Sequence, residues 1–192
     1  MRLANVAIAA AWLIFFVFWF WKWRDSKATA QPHDRAQRRL HIIPTIIGII
    51  LIETGWRKRA PLTPLGLELW PPTLLVQWTA FLIVLVGLLV AVRARVVLAT
   101  NWSADVEVKE DHELLTHGPY GWVRHPIYTG ILMMLAGTAI AMGTSAALLG
   151  LALATFGLII KLRQEEELMR AEFAGAYADY ERRVKRLVPF VW

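Results

Sequence analysis

The sequence predicts an all-α fold, a polytopic membrane helix bundle of about five spans with a C-terminal amphipathic helix. Three observations carry that prediction. The 192-residue chain is 57% hydrophobic, above the roughly 45–50% of soluble domains. The excess lies in long runs, and a hydrocarbon core of about 30 Å is crossed by ~20 such residues in a helix. The 21 Lys and Arg exceed the 15 Asp and Glu by a formal charge of +6, and they flank the apolar runs. There they act as topology signals, and the lack of a separate basic stripe argues against a nucleic-acid partner. The absence of cysteine excludes disulfides, thiolate metal sites and a cysteine nucleophile. The chain divides into N-terminal membrane segments and loops over 1–72 and a core over 73–192.

The first run, Leu3 to Trp21, is interrupted only by Asn5 and ends in an aromatic and cationic flank of Trp19, Trp21, Trp23, Lys22 and Arg24. A cleavable signal peptide is the rival reading, with Ala28-Thr29-Ala30 as the small-residue site. The charged stretch from Lys22 to Lys27 separates that site from the run and favours an uncleaved span. Residues 22–39 are rich in Lys and Arg, which predicts a cytoplasmic loop. The segment Ile42–Ile52, extended by Leu40 and His41 and broken by Pro44, is short but reads as a span, with a re-entrant or interfacial segment as the alternative. Residues 54–72, with Pro61, Pro64, Pro71 and Pro72, read as an external loop. Thr73–Val92 is a span ending at Arg93 and Arg95. Ile127–Met142 and Ser145–Ile160 meet at Gly143-Thr144, a turn short enough for an antiparallel hairpin. The predicted N-terminus is outside and the C-terminus cytoplasmic. In the tail, Met169, Phe173, Tyr177, Tyr180, Val184 and Leu187 recur at helical spacing, a face that docks on the membrane surface or on the segment before the hairpin.

Polar information concentrates in Asn101–Tyr128 and Lys161–Glu167, which the hairpin brings together. Ionisable groups at the mouth of a membrane bundle point to a functional site. Pro126 favours the first helical position and pushes His125 out of helical geometry, so His125 stands at a helix entrance beside free N–H groups. Gly118-Pro119-Tyr120-Gly121 is a turn that aims Tyr120 at the same place, and Tyr128 follows His125 by one helical turn. The ordinary alternative makes Tyr128 an interfacial aromatic and Arg124 a positive-inside anchor. Glu165 and Glu166 flank the stripe Leu162–Met169, so one of them faces the protein. The other reading is a solvated acidic patch balancing Lys161 and Arg163. His112, His117 and His125 are poorly spaced for a metal, and none is expected. Nucleotide-binding loops and a serine elbow are missing from the sequence.

The segments His112-Glu-Leu-Leu115, Gly118-Pro-Tyr120 and Arg124-His-Pro-Ile-Tyr-Thr-Gly130, followed by Glu165-Glu166, Phe173, Tyr177 and Pro189, resemble the isoprenylcysteine carboxyl methyltransferase family. The similarity covers roughly residues 75–190 and extends to phospholipid methyltransferases. It implies an integral-membrane enzyme with S-adenosylmethionine as cofactor, methylating a lipophilic or prenylated acceptor that enters from the membrane lipids. It also implies cofactor contacts at His112, Leu115, Tyr120, His125, Tyr128 and Glu165. The family's substrate-positioning arginine precedes that glutamate by four residues in some members, where this chain has Lys161; its own arginine is Arg163. A second departure is Phe173-Ala174, where the family often has Phe-Gly.

The inventory suits methyl transfer from a sulfonium, which needs neither metal nor acid on the leaving side. A carboxylate acceptor is already ionised at neutral pH, leaving alignment and water exclusion as the catalytic task. Arg163 or Lys161 would hold that carboxylate. Two alternatives are an ethanolamine-headgroup N-methyltransferase, which needs a base to deprotonate the ammonium, and a non-catalytic membrane subunit. Cofactor binding and labelled-methyl transfer discriminate among the three.

Overall fold

The computed structural model describes residues 2–24, 29–31, 35–54, 66–98, 108–109 and 114–191. Five helices make up the bundle: α1 (Arg2–Trp23), α2 (Arg35–Thr54), α3 (Leu74–Leu98), α4 (Pro126–Met142) and α5 (Ser145–Arg183). Among the described residues the other regular elements are a 3-10 turn, Gly118–Gly121, and a short antiparallel ladder of β1 (Thr29–Gln31) with β2 (Val108–Lys109). The all-α prediction holds. Three helices, α1, α3 and α5, are long and apolar enough to cross a membrane, while Leu40–Glu53 within α2 and Pro126–Met142 are shorter apolar stretches. The chain is an integral membrane protein.

Pro44 does not break the second segment. It lies inside α2, a continuous helix of 20 residues. Proline removes one N–H from the ladder, and here the Thr45 hydroxyl donates to the His41 carbonyl at 2.7 Å, one turn back. Helices in apolar surroundings tolerate such a proline when neighbouring helices and side chains support the backbone around it.

The hairpin tip forms as its residues dictate. Gly143 ends α4 in the left-handed region (φ 64°), and the Thr144 hydroxyl caps α5 by accepting from the Ala147 N–H at 3.2 Å. Beyond the tip, each arm finds its main partner elsewhere, α4 on α3 and α5 on α2. Small residues cause this. A Cβ at Gly130 would lie 2.5 Å from the Gly87 carbonyl oxygen, and one at Gly87 would lie 2.6 Å from that of Gly130. Gly48 and Gly150 touch in the same way between α2 and α5. Backbones that approach this closely gain dispersion contacts that lipid cannot match. From the predicted external loop, residues 67–70 fold over the tip: Leu69 N–H donates to Gly143, Ser145 N–H to Leu67, and the Trp70 indole to Ile140.

The C-terminal amphipathic helix follows a kink at Ala174 (φ 38°, ψ −116°), where non-helical backbone divides α5 into two helices. Positive φ costs a side-chain-bearing residue and is free to glycine, so the Phe-Ala departure falls where the backbone favours glycine. Tyr177, Tyr180 and Leu187 on the predicted stripe are buried. The stripe docks on the segment before the hairpin rather than lying free: Tyr180 donates its hydroxyl to the Tyr120 carbonyl at 2.6 Å.

Candidate functional site

The site forms where α4 begins and the apolar part of α5 ends. His125 caps α4 with non-helical angles (φ −123°, ψ 61°), as the following proline requires. Its backbone and that of Arg124 are fixed by the C-terminal segment, with Arg124 N–H donating to Lys185 at 2.7 Å and His125 N–H to Arg186 at 3.0 Å. Thr129, one turn on, donates its hydroxyl to Leu187 at 2.8 Å. The chain terminus is therefore a wall of the site.

Both glutamates face inward, whereas the sequence assigned that role to one. Glu166 has no exposed surface. Its Oε1 accepts from Arg124 Nε (3.0 Å) and a second Arg124 nitrogen (2.7 Å), and from His125 Nε2 (3.2 Å). Its Oε2 accepts from Arg186 at 2.9 Å and from Arg170 at 3.4 Å. Burial works against the charge, but the hydrogen bonds and charges of His125 and Arg124 outweigh it and hold the carboxyl at about 2. Because an ionised carboxylate only accepts, His125 Nε2 carries a proton. Glu165 sits beside this hub. Its Oε1 accepts a hydrogen bond from the Tyr128 hydroxyl, and its Oε2 lies 3.7 Å from His125 Nδ1. The His125 and Tyr128 rings stack at 5.7 Å between centroids.

Tyr120 packs with Ala94 and Ile127, against partly buried Trp19 and Tyr128. Arg95, fully buried in α3, donates to the Lys22 carbonyl at 2.7 Å, which fixes the end of α1 at this same end of the bundle. Of the predicted site residues, Tyr120, His125, Tyr128 and Glu165 are thus brought together. Lys161 joins them, its ammonium 5.6 Å from the Tyr128 ring centre. Leu115 is half-buried just ahead of the 3-10 turn, and His112 lies outside the described residues. Arg163 is exposed and makes no ion pair or hydrogen bond among the described residues.

Sequence reasoning missed the hub. Arg124, for which a membrane anchor is the ordinary alternative in sequence, is the main partner of Glu166, and Arg170, Arg186 and Glu181 carry no sequence motif that points to the site. Glu181 also binds Arg170 at 2.7 Å. A signal existed: Glu166 falls on the buried stripe one turn after fully buried Leu162, and Arg170 follows it at i+4. No group of three or more His, Asp or Glu fit to hold a metal occurs among the described residues.

A helical membrane bundle with a buried ion network and a stacked His–Tyr pair at one mouth defines the class. Residues 78–171, which contain Arg124, His125, Tyr128, Lys161 and both glutamates, match the isoprenylcysteine carboxyl methyltransferase family model. That match covers just under half of the chain. It is 32% identical to the Protein-S-isoprenylcysteine O-methyltransferase of Xenopus laevis over 47% of this chain and 32% of that one. It is 30% identical to the Mus musculus protein of the same name over 64% and 45%. A probable Protein-S-isoprenylcysteine O-methyltransferase of Oryza sativa subsp. indica is 26% identical over 60% and 62%. The chain thus spans between about a third and three fifths of the length of these relatives.

Proposed function

We propose that this protein is an S-adenosylmethionine-dependent methyltransferase acting on the carboxylate of a lipophilic acceptor, of the isoprenylcysteine type, with its site facing the cytoplasm. The observation that carries the reading is the convergence of Glu165, His125, Tyr128, Tyr120 and Lys161 at one mouth of the bundle, within the family-matched stretch. The match of residues 78–171 to the family model and the names of the relatives support it. The residues present fit the cofactor. Glu165 offers a carboxylate to an amino or hydroxyl group, the Tyr128 ring offers a face to a cation, and Tyr120 closes an apolar floor. When bound, S-adenosylmethionine supplies an activated methyl group on a sulfonium.

The chain's own residues then have three tasks. Glu166 and Arg124 hold His125 in one tautomer and orientation. Tyr128 positions Glu165 by its hydroxyl bond. Lys161 is the cation that would hold the acceptor carboxylate, since exposed Arg163 takes no part in the cluster. No base is needed for an ionised carboxylate. Leu115 remains a cofactor contact in this reading by its place before the 3-10 turn, and His112 by resemblance. The cytoplasmic orientation is supported by Lys22, Arg93, Arg95, Arg124 and Lys161 gathering at the site's end of the helices.

The test feeds purified protein methyl-labelled S-adenosylmethionine with N-acetyl farnesylcysteine or phosphatidylethanolamine. Base-labile methyl ester on the prenylcysteine supports the proposal. Stable label on the ethanolamine nitrogen assigns the amine acceptor instead, and cofactor binding absent by calorimetry makes the chain a non-catalytic subunit.

A further inference from the structure

A cavity lies away from the site, near the opposite end of the bundle. It has a volume of about 560 Å³ and is walled by Ile8, Trp12 and Phe16 of α1, Ile49 and Ile52 of α2, and Leu135 of α4. That is within the ~300–1,000 Å³ typical of small-molecule sites. It exists because α1 and α2 take different partners: α1 packs on α3, α2 on α5, and α4 forms the floor between them. Leu13, Phe16 and Ile49 remain exposed along its rim, so it opens sideways toward the bilayer. Water does not suit it. The volume would take on the order of twenty molecules, each needing two to four polar partners. Apart from Glu53 at its end, the wall's polar side chains are satisfied already, with the Trp12 indole donating to the Thr138 hydroxyl at 3.0 Å and that hydroxyl to Met134 at 2.8 Å.

Length and charge narrow the occupant. Ile8 to Phe16 spans ~12 Å of helix, close to the ~15 Å of one hydrocarbon leaflet. Glu53 is the one charged residue of the lining. It ends the apolar part of α2, is exposed, and makes no ion pair or hydrogen bond among the described residues. A carboxylate at the interface end of a chain-length apolar cleft complements a cation on a hydrocarbon. We propose that this cleft seats one acyl chain of a bilayer lipid whose headgroup ammonium pairs with Glu53.

The experiment places the full chain in nanodiscs containing phosphatidylethanolamine or phosphatidylglycerol with a diazirine in the acyl chain, and maps the photolabel. The ethanolamine probe is expected to label the Trp12–Phe16 and Ile49–Ile52 peptides at least fivefold more than the exposed α3 face at Leu82 and Leu89. Ala9→Phe and Leu13→Trp, both at exposed positions that fill the cleft, should each cut this label at least fivefold. Glu53→Lys should lower capture of the ethanolamine probe severalfold and raise that of the glycerol probe. Label no greater than on α3, or unchanged in both filling variants, overturns the site. Equal capture of the two probes whatever stands at position 53 overturns the headgroup assignment. Displacement by a prenylcysteine acceptor would give the cleft to the acceptor's tail and overturn the lipid assignment.

Discussion

Replacing Glu166 by glutamine tests the hub directly. The substitution keeps the volume and removes the charge that faces Arg124, His125, Arg170 and Arg186. A carboxyl held at about 2 rather than 4.5 has its charged form favoured in the fold by roughly 3 kcal/mol. Breaking a buried pair on one side costs about 3–5 kcal/mol, because the partner is left buried without its counter-charge. Arg124, 7% exposed, is that partner, left with the more distant Glu181 at 3.6 Å. For a chain of this size, a loss of ~3 kcal/mol corresponds to about 6–12 °C in melting temperature. Thermal unfolding in detergent at pH 7 should show a drop of that size in Glu166→Gln, together with weaker cofactor binding, because His125 and the Lys185–Leu187 segment lose their common anchor. The pH dependence follows from a depressed folded-state value. The stabilisation is full above about 4.5 and is lost as pH falls through about 2, so the gap between parent and variant should be constant from pH 7 to about 5 and close below that. A variant melting within 1 °C of the parent at pH 7 would refute the reasoning.

Four further outcomes are expected. Lys161→Ala should lower methyl transfer to a carboxylate acceptor at least tenfold with cofactor affinity nearly unchanged, and Arg163→Ala should leave both as they were; the reverse pattern in a paired binding and turnover assay would move the acceptor cation to Arg163. Tyr128→Phe deletes the hydroxyl that orients Glu165, and His125→Ala the ring stacked on it, so each should weaken S-adenosylmethionine binding by about 1–3 kcal/mol in calorimetry. Ala174→Gly relieves a positive φ and should raise the melting temperature by a few degrees, for a gain of ~1 kcal/mol; no rise would mean the break is unstrained. Cysteine placed at Ser26 and at Ala178 should react only with cytoplasmic-side reagent in sealed vesicles, and labelling of either from outside would reverse the orientation.

Much of the architecture was legible because membrane insertion is written in composition. Uninterrupted apolar runs, their cationic ends and the Gly143-Thr144 turn are local features, each sufficient to mark a span or a tip. The His125-Pro126 helix start was legible for the same reason, since proline restricts its neighbour whatever surrounds it. The 3.6-residue period marked the tail stripe, and Tyr177 and Tyr180 on it are buried.

What the tertiary structure decided depends on contacts between distant residues. Pro44 reads as a breaker because local chemistry says so, yet α2 continues through it where it packs along α5. The pairing of α4 with α3 and α5 with α2 rests on glycines meeting across helices, and their register is invisible in one strand of sequence. Glu165 and Glu166 look alike in sequence, yet one binds Tyr128 and the other becomes the buried partner of Arg124. A hundred degrees of helix rotation separates those fates, and what each carboxylate meets is set by α4 and the C-terminal segment. Charge and hydrophobicity along a chain fix which residues enter the membrane or seek a partner, while the identity of that partner is fixed only when the helices are packed.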